Sequence, residues 1–129
     1  MSNRYADWLR QAEADRRHAH HSLEAGDYEW SCFAAHQAAE KALKAVFQKA
    51  GMDAWGHTLT ALAGNLPSGS APPPDLENWV RVLDKHYILT RYPNGFASGA
   101  PTDFYTRGEA ESALACADGI IAYCRDQVG

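Results

Sequence analysis

Hydrophobic and polar positions recur along this chain with helical spacing, most clearly in the segment at residues 28–50. This segment, YEWSCFAAHQAAEKALKAVFQKA, contains neither Gly nor Pro and is rich in strong helix formers. One stripe at three- and four-residue steps is apolar, and the stripe beside it consists of alanines. A helix with apolar side chains on one side and small side chains on the adjacent side can pack against neighbouring helices on both. The pattern therefore predicts that residues 28–50 form the central helix of a bundle.

The remaining chain predicts a bundle in which neighbouring helices run antiparallel. The short connection Gly26-Asp27 joins the central helix to the preceding one as a hairpin. Thr106 and Glu109 have the spacing of a capping box, which places the start of the last helix. Segments rich in proline, glycine or both separate the other elements. The predicted helices cover about residues 4–25, 28–50, 58–66, 76–89 and 106–128, and the separating segments are residues 67–74 and 90–105.

These elements define an all-α fold class, an up-down helical bundle of four long helices plus one short helix. No strand pattern and no internal repeat occurs in the sequence, so we expect a single domain over residues 1–129. A chain of this length can bury a core without the help of disulfides or metals.

Composition narrows the possible functions. No run of about 20 apolar residues exists, so we expect no membrane span, and the N-terminal residues lack the apolar core of a signal peptide. The three cysteines are an odd number within helical patterns, which indicates reduced thiols in a cytoplasmic protein. The net charge of -4 argues against a general nucleic-acid-binding surface but leaves room for a local phosphate or base pocket. No cofactor is indicated, and the histidine cluster at residues 16–21 lacks a convincing ligand set, which disfavours a metal site.

Candidate binding chemistry concentrates at Arg91, within the sequence YILTRYP at residues 87–93. The guanidinium is a bidentate phosphate donor, and the flanking Tyr87 and Tyr92 can stack on a flat ring. The alternative is structural, because an Arg at a helix C-terminus interacts favourably with the helix dipole and can cap free carbonyls. The sequence alone leaves both interpretations open.

A polar band on the central helix offers further candidates. Gln37, Lys41 and Lys44 would line a pocket beside the arginine, with the lysines countering phosphate charge. The alternative is a surface ion pair between Glu40 and Lys44, which have the favourable Glu-first spacing of four residues. His57 precedes the short helix and can cap it, contact a ligand or satisfy a buried carbonyl. A structural role is the simpler interpretation for this lone histidine.

Three separated pieces of the chain resemble the HEPN domain, named for higher eukaryotes and prokaryotes nucleotide-binding. They are AHQAAEKALKAVF on the central helix, GHTLTAL on the short helix, and LDKHYILTRYP at the end of the next helix. Their order and spacing make the combination fairly specific, and the resemblance covers nearly the whole chain. It implies a bundle of four or five helices, usually a homodimer, commonly encoded beside a minimal nucleotidyltransferase as a toxin-antitoxin-like pair.

On this resemblance we expect a non-catalytic module that binds a nucleotide or RNA-like ligand, a nucleotidyltransferase partner, or both. The pocket would lie between the second and fourth helices. The expected ligand-binding residues are Gln37, Lys41, Lys44, His57, Tyr87, Arg91 and Tyr92.

The alternative function is a metal-independent endoribonuclease acting at a dimer cleft. Many relatives in the superfamily are such ribonucleases and carry the motif R-x(4-6)-H. The one literal match here runs from Arg81 to His86, which would be the catalytic residues. However, Val82 stands where those ribonucleases have Asn, Asp or His. On a helix the two side chains would also point about 140° apart, so a second copy would have to supply the missing partner.

Overall fold

The chain folds into six α-helices in a computed structural model that describes residues 3–67, 69 and 71–129. No strand occurs among these residues, so the all-α fold class is confirmed. The longest helices, α1, α2 and α6, have 21 or 22 residues, and α4 has nine. The helices are α1 (Tyr5–Ala25), α2 (Tyr28–Lys49), α3 (Leu59–Gly64), α4 (Leu76–Asp84), α5 (Pro101–Phe104) and α6 (Arg107–Val128).

Helix α2 occupies the centre of the bundle, as the two stripes predict. It packs against α1 and α6 along its length and also contacts α3, α4 and α5. Its alanine stripe is buried, because side chains this small let neighbouring helices approach closely. Gly26 ends α1 in the left-handed conformation, with φ of 83°, and allows α2 to turn back antiparallel to α1.

Helix α6 closes the bundle and begins with the predicted capping box. The backbone N–H of Glu109 donates to Thr106 Oγ1 at 3.2 Å, and the backbone N–H of Thr106 donates to Glu109 Oε1 at 3.1 Å. Gly119 lies where α6 meets α4, and a Cβ at this position would come within 2.6 Å of the Trp79 indole. The missing side chain therefore allows this close packing.

Two elements differ from the sequence prediction. Helix α4 ends at Asp84 rather than at residue 89. Residues 85–91 form turns in which a backbone N–H bonds the carbonyl three residues earlier, as Arg91 N–H bonds the Ile88 carbonyl at 3.1 Å. Such turns keep nearly helical spacing, so the apolar pattern could not distinguish them from helix. The sequence predicts residues 90–105 as a loop that separates two helices, and the structure shows that this loop contains the short α5 and a 3₁₀ turn at Pro93–Gly95.

In the part of the chain that the structure describes, two short helices, α3 and α5, are therefore present instead of one. The N-terminus of α3 is capped by a residue of another helix: the Asp84 carboxylate accepts from the backbone N–H of Leu59 at 2.7 Å and from that of Thr60 at 3.0 Å.

Ser68 and Ser70 of the predicted 67–74 connection lie outside the described residues. No helix among the described residues combines the length and apolar character needed to cross a bilayer.

Candidate functional site

Arg91 lies in the turns that follow α4, and its guanidinium is surrounded by three aromatic rings. The Cζ atom is 4.5 Å from the ring centre of Phe33, 4.6 Å from that of Tyr87 and 5.1 Å from that of Tyr92. The Nε atom donates to the Tyr87 carbonyl at 2.9 Å. Stacking on several rings and bonding to a carbonyl together fix the orientation of the guanidinium. We call Phe33, Tyr87, Arg91 and Tyr92 the Arg91 cluster.

The charge of Arg91 has no acidic partner among the described residues. The other partly buried cations, Arg16, Lys41 and Lys44, each form an ion pair with a carboxylate. Arg91 is partly buried as well, yet it has no ion pair, and only its Nε atom has a hydrogen-bond partner within the described chain. A guanidinium has five N–H donors, so the four on its terminal nitrogens are left for an anion.

One edge of α2 supplies the side chains beside this cluster. They stand at helical steps of three and four residues, so they project from the same side of the helix. The members of this edge are Phe33, His36, Gln37, Glu40, Lys41 and Lys44.

His36 is fully buried on this edge and bonds on both sides of its ring. Its Nε2 lies 3.0 Å from the His57 carbonyl, which can only accept, so Nε2 carries the proton. Its Nδ1 then accepts from the Gln37 amide at 3.2 Å, and the Gln37 oxygen accepts from Lys41 Nζ at 3.4 Å. Burial lowers the pKa of His36 to about 4, against smaller opposing effects that include the nearby Glu40 charge. His36 is therefore a neutral structural imidazole at physiological pH.

Glu40 holds the second histidine of the site. Its Oε1 accepts from His57 Nδ1 at 2.9 Å, and its Oε2 accepts from Lys44 Nζ at 3.1 Å. The alternative interpretation of an ion pair between Glu40 and Lys44 is therefore correct for the pairing, but Glu40 is only 4% exposed, so the pair does not lie at the surface. These bonds continue the series that begins at Lys41. We call the connected residues Lys41, Gln37, His36, His57, Glu40 and Lys44 the polar chain.

Tyr87 joins the Arg91 cluster to the polar chain. Its ring stacks on His57 with centres 4.8 Å apart and planes inclined by 17°, and it lies 5.0 Å from the His36 ring. The same ring contacts the Arg91 guanidinium at 4.6 Å. A mixed surface results, with a cation, aromatic faces and a partly exposed imidazole side by side.

The structure thus brings together Tyr87, Arg91, Tyr92 and His57, four of the seven predicted ligand-binding residues. Gln37 lies one step behind them, against His36. The two lysines differ from the prediction because acidic side chains already neutralise them.

Lys41 pairs with Asp15 of α1 at 2.7 Å, and Lys44 pairs with Glu40. Lys41 also lines an open cavity of about 490 Å³ with Trp8 and Arg10 of α1. Among the described residues, hydrogen bonds of the polar chain link both lysines to His57, which stacks on Tyr87 of the Arg91 cluster.

The residues of the alternative motif, Arg81 and His86, do not converge within the chain. Arg81 is exposed and pairs with Glu77 one turn away. His86 is buried, its Nδ1 lies 3.3 Å from the Tyr105 hydroxyl, and burial lowers its pKa. Each side chain thus has a structural partner of its own.

The described residues contain no group of three or more His, Cys, Asp or Glu side chains placed to hold a metal ion. His18 and His21, one turn apart in the cluster at residues 16–21, are exposed on α1. All three cysteines are free and buried, and burial raises the pKa of Cys32 and Cys124 to about 12. Thiols with such pKa values are poor nucleophiles and poor metal ligands.

The sequence did not indicate Phe33 as a site residue, and it did not indicate that His36 and Glu40 form hydrogen bonds with His57. Phe33 stands four residues before Gln37, so the helical spacing of the polar band could have pointed to it. Nothing local shows that Glu40 is buried, because its burial depends on the chain segment around His57 crossing α2.

Comparisons with known proteins agree with one another. The family model described as "HEPN domain" matches residues 5–127. The crystal structure of TT1696 from Thermus thermophilus is 48% identical, with a TM-score of 0.95, over 98% of this chain and 99% of that one. The archaeal HEPN homologue ST0689 is 34% identical over the full length of both chains, with a TM-score of 0.82. The HEPN domain protein tm0613 from Thermotoga maritima is 40% identical, with a TM-score of 0.75, over 93% and 95%. No curated protein matches the chain.

Proposed function

This chain belongs to the HEPN domain family, and we propose that it is a nucleotide-binding module whose phosphate contact is Arg91. The observation that carries the proposal is the guanidinium without an acidic partner, held among the rings of the Arg91 cluster. A cation that is already oriented loses little conformational entropy when it forms paired hydrogen bonds to a phosphate.

Aromatic side chains near the guanidinium provide surfaces for a base. Tyr92 and Trp30 are each 48% exposed. Trp30 packs edge-on against Phe33, with ring centres 6.1 Å apart, and so lies at the rim of the Arg91 cluster. Stacking of one base on such a side chain contributes about 1–3 kcal/mol and tolerates different bases. The cluster thus offers both contacts that a nucleotide needs.

The charge of the whole chain favours a small ligand. With a net charge of -4, the protein lacks the basic surface that long nucleic acids require. A mononucleotide or a short single-stranded segment places one or two phosphates at Arg91 and needs no such surface.

Calorimetric titration with AMP, ATP and a short single-stranded RNA tests the proposal. Arg91→Ala should weaken binding by roughly ten- to hundredfold, since hydrogen bonds to charged groups contribute about 1.5–3 kcal/mol. Arg81→Ala is a matched control, because it removes the same charge from an exposed position that pairs with Glu77. The affinity of Arg81→Ala for each ligand should stay within about twofold of that of the wild type.

Binding that is unchanged in Arg91→Ala, while circular dichroism shows a folded protein, would exclude Arg91 from the site. An equal loss in both variants would mean that the ligand responds only to overall charge. The expected homodimer and nucleotidyltransferase partner stay predictions from the family, which sedimentation equilibrium and co-purification can test.

A further inference from the structure

The ring of His57 is exposed, but the Glu40 carboxylate that it bonds is buried. Its side chain is 52% exposed, whereas the side chain of its partner Glu40 is 6% exposed. The bond between them is 2.9 Å long and joins His57 Nδ1 to a carboxylate oxygen. Lys44 bonds the other carboxylate oxygen at 3.1 Å, so Glu40 is held from both sides.

The bond to Glu40 determines whether the other ring nitrogen of His57, Nε2, donates or accepts hydrogen bonds. An ionised carboxylate only accepts hydrogen bonds, so Nδ1 carries a proton. In the neutral imidazole, Nε2 is then an acceptor, and it has no hydrogen-bond partner among the described residues. The site therefore presents donors at Arg91 and an acceptor at His57.

The acceptor lies close to the proposed phosphate contact. The His57 ring centre and Arg91 Cζ are 4.8 Å and 4.6 Å from the Tyr87 ring centre. The two groups are thus at most about 9.4 Å apart, the sum of these distances. A nucleotide that forms a hydrogen bond of about 2.6–3.2 Å at each end can reach across this distance with its phosphate and sugar.

We propose that His57, positioned by Glu40, accepts a hydrogen bond from a ribose hydroxyl, so that the site prefers ribonucleotides to nucleotides without sugar hydroxyls. A phosphate offers only acceptors and therefore suits Arg91, whereas the sugar hydroxyls are the donors nearest to the phosphate. The inference rests on the nucleotide-binding function proposed above and specifies the ligand class of the same site.

The test compares the affinity for AMP with that for 2′,3′-dideoxy-AMP, at a mildly alkaline pH. The wild type should bind AMP about three- to tenfold more tightly, which is the usual value of one neutral hydrogen bond. His57→Phe keeps a ring that can stack on Tyr87 but removes the acceptor, so the two affinities should become equal. Titration with 2′-deoxy-AMP then shows which hydroxyl makes the contact.

Glu40→Gln provides an independent variant. Its amide can donate to Nδ1, which moves the imidazole proton to Nε2 and turns the acceptor into a donor. A ribose hydroxyl can accept as well as donate, so AMP should still bind more tightly than 2′,3′-dideoxy-AMP, whereas nitrogen NMR should show that the imidazole proton has moved from Nδ1 to Nε2. An imidazole proton that stays on Nδ1 in Glu40→Gln would show that Glu40 does not set the tautomer of His57 and would overturn its positioning role.

Each outcome decides between the two proposals. Equal affinities in the wild type, or a preference for AMP that persists in His57→Phe, would overturn the role of His57 and leave Arg91 in place. No binding of AMP by folded wild-type protein would overturn the proposed function and this inference together. Arg91→Ala should weaken both ligands by the same factor, which separates the phosphate contact from the sugar contact.

Discussion

Acidification from about pH 7 to about pH 5 should destabilise the fold by roughly 2 kcal/mol through one side chain, His36. In the unfolded chain this imidazole has its ordinary pKa of 6.5, whereas burial lowers the pKa to about 4 in the fold. Between these values the unfolded chain binds a proton that the native state does not bind. The free energy of unfolding therefore falls as the pH falls through this window.

The magnitude follows from the same two pKa values. A difference of one pKa unit corresponds to about 1.4 kcal/mol, so the full loss below both pKa values is about 3.5 kcal/mol. A little over half of this loss, roughly 2 kcal/mol, occurs between about pH 7 and about pH 5. The physical cause is the burial of a ring whose two nitrogens already bond the His57 carbonyl and the Gln37 amide. A second proton would have to displace the Gln37 donor.

Urea denaturation of the wild type and of His36→Gln at both pH values measures the effect. The Gln amide can donate to the His57 carbonyl as the imidazole does, but it does not titrate. The variant should therefore lose about 2 kcal/mol less than the wild type on acidification. His86, whose pKa burial also lowers, is present in both proteins and cancels in the comparison.

An equal loss of stability in both proteins would refute the reasoning, because His36 would then not control the pH dependence. Nitrogen NMR gives a second measurement if His36→Gln does not fold. The wild-type ring should remain neutral, with its proton on Nε2, at about pH 5. A charged ring in the folded protein at that pH would contradict the assignment.

Two further predictions concern packing and capping, and urea denaturation tests both. Gly119→Ala should cost about 1–2 kcal/mol, because its Cβ would come within 2.6 Å of the Trp79 indole and this overlap exceeds the gain in helix propensity. Gly108→Ala on the same helix meets nothing closer than 3.9 Å and should be neutral or stabilising; equal effects would contradict the packing argument. Asp84→Ala should cost about 1–2 kcal/mol, since it removes the acceptor for the N-terminus of α3. Asp75→Ala makes a control, because Asp75 forms no side-chain cap and its loss should change stability little.

The sequence by itself determined the helical architecture. Local patterns suffice for this, because helical periodicity, the capping box at Thr106 and the glycine at position 26 act within a few residues of chain. They placed α1, α2 and α6 to within about two residues and identified α2 as the central helix. Three short motifs in the right order also indicated the HEPN family, which the family model confirms.

Only the tertiary structure decided which polar side chains meet. Arg91 and Phe33 are far apart in sequence, and so are His57 and Glu40, yet each pair is in contact. Periodicity shows which face of a helix a residue occupies, but not which distant segment crosses that face. The same holds for charge: Lys41 looks available in the sequence and is neutralised by Asp15 from α1. Arg91 stays without an acidic partner among the described residues because the turns after α4 direct it towards aromatic rings instead of a carboxylate.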